Sequence, residues 1–179
     1  MSTRSVIARR NADQSISAVY CHYDGYPEGV GSTLVKHWTD PAKVDQLIAL
    51  GAVSVLDEEV GEKHDMDWRS GHWFDLCRFD TSSDREDAIK ADARNKWTRF
   101  YSRDRGDSVE TTEVQSYTDE ERLFAAAGDG FGAEYVYIFN PESATWKGFS
   151  LTSSYNVSEN RQVEIPVKSP QEPALVVAY

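Results

Sequence analysis

Cysteine is scarce in this chain: Cys21 and Cys77 are the only two among 179 residues. Two thiols cannot build a disulfide framework, nor a thiolate metal cage by themselves. Long apolar runs are missing as well. No stretch approaches the roughly 20 apolar residues of a membrane-spanning helix. Arg4, Arg9 and Arg10 are interrupted by short apolar pieces, which is not the pattern of a basic-then-apolar leader. Basic charge is also in short supply, with 19 Lys and Arg against 30 Asp and Glu, a formal net charge of −11. A general nucleic-acid surface needs clustered Lys and Arg, so direct binding of a phosphodiester backbone is not expected. These shortages predict a soluble cytoplasmic protein with no membrane contact.

What is present is ordinary globular material. Apolar residues make up 40% and charged residues 27%, enough for one domain with a core that needs no staples. Ser5–Arg9 and Ile16–Tyr23 are two β-prone runs separated by the turn cluster Asn11-Ala12-Asp13, which predicts an antiparallel hairpin. Both faces of the second run carry bulk, so one face is expected in the core and the other at a site or an interface. A short helix is predicted over Leu34–Trp38. Thr39 or Asp40 can cap a second helix, Pro41 suits its first turn, Val44, Leu47, Ile48 and Leu50 form its apolar stripe, and Gly51 ends it. Thr118 and Glu121 match a capping box ahead of a helix that Gly128 closes. Glu134–Phe139 and Thr145–Phe149, joined by Asn140-Pro141-Glu142-Ser143, predict a second hairpin.

The expected fold class is therefore α+β: one domain with an antiparallel sheet and helices mainly on one face. Residues 1–156 form the globular part, with residues 57–98 as an irregular insertion in the middle. Residues 157–179 are read as a tail containing Pro166, Pro170 and Pro173. The tail is not expected to form a helix or a central strand. Its apolar end, Ala174–Tyr179, needs a cover, on this domain, on a partner or on a second copy.

Candidate chemistry is thin. Glu62, His64, Asp65 and Asp67 form a dense set of potential metal ligands, but a solvated acidic loop in an already acidic protein is the preferred reading, and no metal or cofactor is expected. Cys21 and His22 are neighbours on a strand and point to opposite faces, so they cannot serve as nucleophile and base for each other. Ser32 lacks the glycine-flanked elbow of a catalytic serine. No enzymatic activity is expected. The best ligand site lies at the strand–loop–helix junction, where Tyr20, His22 and Tyr26 offer stacking surfaces. There Gly29 and Gly31 allow backbone to approach a ligand closely. Arg103 and Arg105 could hold phosphates, which together with the aromatics would suit a nucleotide. The competing reading is a structural turn in which Asp104 neutralises both guanidinium groups.

Several stretches resemble a family of small phage- and prophage-encoded proteins of unknown role. They are Met1–Ala8, Val19–Pro27, Leu47–Gly51, Gly61–His64, Tyr101–Asp107 and Glu134–Tyr137. Family members usually carry Trp at the place of Tyr23, and the likeness covers roughly residues 1–150. It implies an accessory protein of a mobile element that manages its host from the host cytoplasm. The net charge then favours a non-enzymatic counter-defence inhibitor, anti-CRISPR-like. Its acidic surface, with Glu58, Glu59, Glu62, Asp65 and Asp67, would occupy a basic groove on a host defence complex. The alternative is a sponge that sequesters a signalling nucleotide at the Tyr, Gly and Arg elements.

Overall fold

The computed structural model describes residues 2–64 and 96–151 and the backbone of residues 162–165. Eight strands form one open sheet: β1 (Ser5–Arg10), β2 (Ile16–Cys21), β3 (Val53–Val55), β4 (Arg99–Phe100), β5 (Gln115–Tyr117), β6 (Tyr135–Asn140), β7 (Thr145–Leu151) and β8 (Gln162–Ile165). The spatial order is β4-β3-β2-β1-β6-β7-β8, with β5 also paired to β2. Among the described residues the α-helices are α1 (Ser32–His37), α2 (Pro41–Ala49), α3 (Val109–Thr112) and α4 (Glu120–Ala125). The fold is α+β, as expected, and among the described residues no helix is long and apolar enough to cross a membrane.

Both expected hairpins form, β1 with β2 and β6 with β7, each antiparallel. The sheet as a whole departs from the antiparallel expectation. β1 pairs with β6 in parallel, from Ser5 opposite Tyr135 to Arg9 opposite Phe139, and β2 meets β3 in parallel at Cys21 and Val53. The two hairpins thus join side by side through their first strands. Within the segment read as a tail, Gln162–Ile165 add the edge strand β8 to β7, so the sheet extends past residue 156. Ala174–Tyr179 and their expected interface lie outside the described residues.

Alternation along the strands sends apolar side chains to both faces. Ile7, Val19, Cys21, Val53, Tyr137 and Phe139 face α1 and α2, where Leu34, Trp38, Val44, Leu47 and Ile48 complete a core. Val6, Ala8, Ile16, Ala18, Val136 and Ile138 form a second core with Leu123, Phe124 and Ala127 of α4 and the turn after it. The face of β2 read as a site or an interface is therefore itself covered along its first half.

Asp40 caps α2 by accepting from the Ala42 N–H at 3.0 Å, with Pro41 in the first turn. Gly51 follows with φ +80°, a left-handed turn that favours glycine. The cap of α4 sits one residue later than the capping box predicts. Asp119 accepts from the Arg122 N–H at 2.9 Å, while Thr118 donates its hydroxyl to Asp119. A carboxylate is the stronger acceptor and takes the cap. The helix then widens into a π-turn over Ala126–Gly130 instead of stopping at Gly128.

The ends of the expected insertion run together. Glu59 bridges Trp97 in parallel, and the Glu59 and Thr98 N–H groups donate to Lys96 and Glu59 carbonyls at 2.8 and 2.7 Å. Residues 65–95, between these ends, lie outside the described residues.

Candidate functional site

A cleft of about 350 Å³ opens where the partners of β2 diverge. β5 pairs with Ile16–Ala18, whereas β3 meets β2 at Cys21. Between them the outer edge of β2 is left to side chains. Tyr20, His22, Ala52, Tyr101, Asp107, Thr112 and Phe131 line the cleft. The walls are stitched by backbone bonds from Ala52 N to Thr112 O at 2.7 Å and from Tyr101 N to Ala52 O at 2.9 Å.

The lining is mostly aromatic. Tyr20 stacks on Phe131 with centroids 5.7 Å apart and planes 22° from parallel, and tilts against Tyr101 at 6.4 Å. The Tyr20 hydroxyl is 2.6 Å from His22 Nδ1. The His22 ring meets Tyr23 edge-on at 4.4 Å and Tyr101 at 6.2 Å. Its Nε2 has a long contact, 3.4 Å, with Ser2 Oγ. Burial holds His22 below the usual imidazole pKa, and the positive charges of Arg4 and Arg105 push it the same way. Burial also raises the Tyr20 and Tyr101 hydroxyls, so both stay protonated at neutral pH.

Arg105 caps the aromatic wall. Its guanidinium lies 4.7 Å from the centre of the Tyr101 ring, reaches Ser54 Oγ at 3.3 Å and sits 3.7 Å from Asp107. Arg103, two residues away, is spent. Nε and Nη2 donate to the Asp104 carboxylate, Nη1 to the carbonyls of Val60 and Gly61, and Nη2 also to Thr98 O. All five N–H groups are thereby used, and none is left for a phosphate. Asp104, fully buried as a side chain, also accepts from the His64 and Phe100 N–H groups at 2.8 and 2.6 Å. It neutralises Arg103, while Arg105 turns to Asp107.

The junction loop does not work as the sequence predicts. Gly29 and Gly31 N–H groups bond back to Tyr26 O, and Val30 N–H bonds to Asp24 O. A Cβ on Gly29 would lie 2.3 Å from Asp24 O, and one on Gly31 would lie 3.0 Å from the Tyr137 ring. These glycines let the loop pack on itself and on β6, and their N–H groups are not offered to an anion. The Tyr137 hydroxyl donates to Gly25 O at 2.9 Å and pins the loop to the sheet. Tyr26 is exposed and is not part of the cleft wall. Of the expected ligand residues, the fold gathers Tyr20, His22 and Arg105 and leaves out Tyr26, Gly29, Gly31 and Arg103. Tyr101 and Phe131 join them, two residues that the sequence reading missed. Tyr101 opens the stretch that contains Arg105, and Phe131 is a lone aromatic between two glycines.

Cys21 is buried in the α1/α2 core, on the face opposite His22, and burial pushes its thiol up to about 12. His64 is spent on structure, with its ring Nε2 on Trp97 O at 3.1 Å. The acidic stretch is partly neutralised within the chain. Glu58 pairs with Lys96 at 3.2 Å, which holds its carboxyl below the usual range, and Glu59 pairs with Lys43 at 2.9 Å. Glu62 is exposed, and Asp65 and Asp67 lie outside the described residues. Among the described residues no group of three His, Cys, Asp or Glu is placed to hold a metal ion. Compared with family models, curated proteins and solved structures, the chain matches none of them.

Proposed function

We propose that this chain is a non-enzymatic binding protein that captures a small, planar, negatively charged molecule, a nucleotide, in the cleft beside β2. The observation that carries this reading is the aromatic wall with a cation on it: Tyr20 against Phe131, and Tyr101 under Arg105. Each base stacked on an aromatic ring contributes about 1–3 kcal/mol. A cleft of about 350 Å³ is at the small end of ligand sites. In the mobile-element setting that the resemblance implies, such capture would withdraw a signalling nucleotide from the host.

The acidic-inhibitor reading keeps one favourable observation, the net charge of −11 with Glu62 exposed. It is weakened by the pairing of Glu58 and Glu59 with lysines of the same chain.

Calorimetry against cyclic and linear nucleotides separates the two. Capture in the cleft requires heat with at least one member, lost in Tyr101→Ala and kept in the double variant Glu59→Lys, Glu62→Lys. No heat with any member, and no nucleotide released when the purified protein is heated, would sink the sponge.

A further inference from the structure

Resting on the cleft reading, we infer that Arg4, Arg105 and His22 form a phosphate seat at one end of the aromatic cleft, so that the ligand class is a mononucleotide, its base on the Tyr20, Tyr101 and Phe131 rings. Three elements supply these groups, and Arg4 and Arg105 are the exposed ones. Arg4 precedes β1 and its carbonyl accepts from the Glu134 N–H at 2.9 Å, which fixes its backbone. Its guanidinium lies along the Gly132 backbone, where a Cβ would sit 3.1 Å from Nη1, next to Phe131. Arg105 comes from the π-turn after β4 and rests on Tyr101. His22 extends β2, held there by its N–H donating to Val53 O at 3.0 Å.

The three differ from Arg103 in having capacity left. Among the described residues no acid pairs with Arg4. Arg105 has only Ser54 and a 3.7 Å approach to Asp107. His22 has Nδ1 engaged by the Tyr20 hydroxyl, and Nε2 is left with the long Ser2 contact. In the tautomer where Tyr20 donates into Nδ1, the ring hydrogen sits on Nε2 and can be given to an anion. Tyr20 is then a positioning residue as well as a stacking surface. The rings packed against the imidazole are Tyr20, Tyr23 and Tyr101, the charges that act on it are those of Arg4 and Arg105, and Asp107 lines the same cleft. With Asp107 3.7 Å from Arg105, the two guanidinium groups still outnumber the one acid beside a phosphate there.

The test is calorimetry of the full chain with adenosine, guanosine, cytidine and uridine, and with each 5′-monophosphate. The same titrations are run on Arg4→Gln, Arg105→Gln and, as an exposed-cation control, Lys147→Gln. The seat requires the monophosphate of the preferred base to bind about tenfold or more tightly than its nucleoside, the scale of one charge-assisted hydrogen bond. That increment should shrink in Arg4→Gln and in Arg105→Gln and persist in Lys147→Gln. The ring-proton titration of His22 should shift to higher pH when the monophosphate is bound. Equal affinity for nucleoside and monophosphate, or an increment that survives both arginine variants, would overturn the seat and leave the cleft reading standing. Absence of binding by every nucleoside and nucleotide would overturn both.

Discussion

Arg103 and Arg105 lie on one π-turn, two residues apart, and their surroundings give them opposite roles. Arg103 ties together the carbonyls of Val60, Gly61 and Thr98 and the carboxylate of Asp104. Arg103→Met would leave the Asp104 charge buried without its cation, which costs about 3–5 kcal/mol. A urea midpoint that stays at the wild-type value would refute the clamp. Arg105→Ala, at a half-exposed position, should leave the midpoint within about 0.5 kcal/mol of wild type. Gly29 offers a second contrast. A methyl group there meets Asp24 O at 2.3 Å, so Gly29→Ala should cost about 1–3 kcal/mol through overpacking, with no ligand present. Thermal melts of the unliganded variant check this, and an unchanged melting temperature would return Gly29 to the list of ligand contacts. The sequence alone could not separate these roles. Arg-Asp-Arg-Gly spells a salt-bridged turn and an anion grip with the same letters, and two of the acceptors that occupy Arg103, the Val60 and Gly61 carbonyls, lie 43 and 42 residues upstream.

At the scale of elements, local chemistry was readable where it decides the outcome locally. The β1–β2 and β6–β7 hairpins have turn residues between β-prone runs, and α2 has Asp40, Pro41, its apolar stripe and Gly51 in sequence. Val44, Leu47 and Ile48 of the expected apolar stripe are buried, and so are Tyr137 and Phe139 of the second hairpin. Leu47 is fully buried, so Leu47→Ala should cost about 2–5 kcal/mol, read from the shift in denaturation midpoint. A loss below about 1 kcal/mol would mean that α2 does not pack as described. What could not be read was set by distant partners. The parallel pairing of β1 with β6 leaves no mark on either strand, because alternation is the same for both directions. Two- and three-residue strands such as β3, β4 and β5 carry too little pattern to announce themselves. The cleft suffers most from this, since it exists only because β3 and β5 take different parts of β2. Tyr20 and His22 were legible as a pair on one face of a strand, whereas Tyr101 and Phe131 reach them from other elements.

Among the described residues, two histidines make the stability of the whole molecule depend on pH just below neutrality. Burial is the first cause that lowers both His22 and His64 below 6.5, with Arg4 and Arg105 adding to it at His22. A lowered pKa in the folded state means that the unfolded chain binds more protons between the folded and unfolded values. The stability due to these groups is therefore complete above pH 6.5 and is lost as pH falls through the folded values. Urea midpoints should drop between pH 7.5 and 5.5. The drop should be smaller in His64→Gln relative to that variant's own value at pH 7.5, and a flat profile across this range would contradict the placement of both rings.

The parallel seam also sets when the fold can be finished. β1 lies in the middle of the sheet, yet its second neighbour begins at residue 135. At roughly 5–20 residues per second of synthesis, β1 waits on the order of 10 s for that partner. Until then the first hairpin presents an open strand edge, the feature that invites pairing with a neighbouring nascent chain. Contacts between such remote segments also slow refolding of the released chain, because the intervening loop must close before they form. Nascent chains arrested near residue 130 should be cut readily by protease, and chains arrested far enough past residue 151 for β6 and β7 to leave the ribosome should resist. Equal resistance at both lengths would mean that the first hairpin, α1 and α2 make a stable unit before the centre of the sheet is closed.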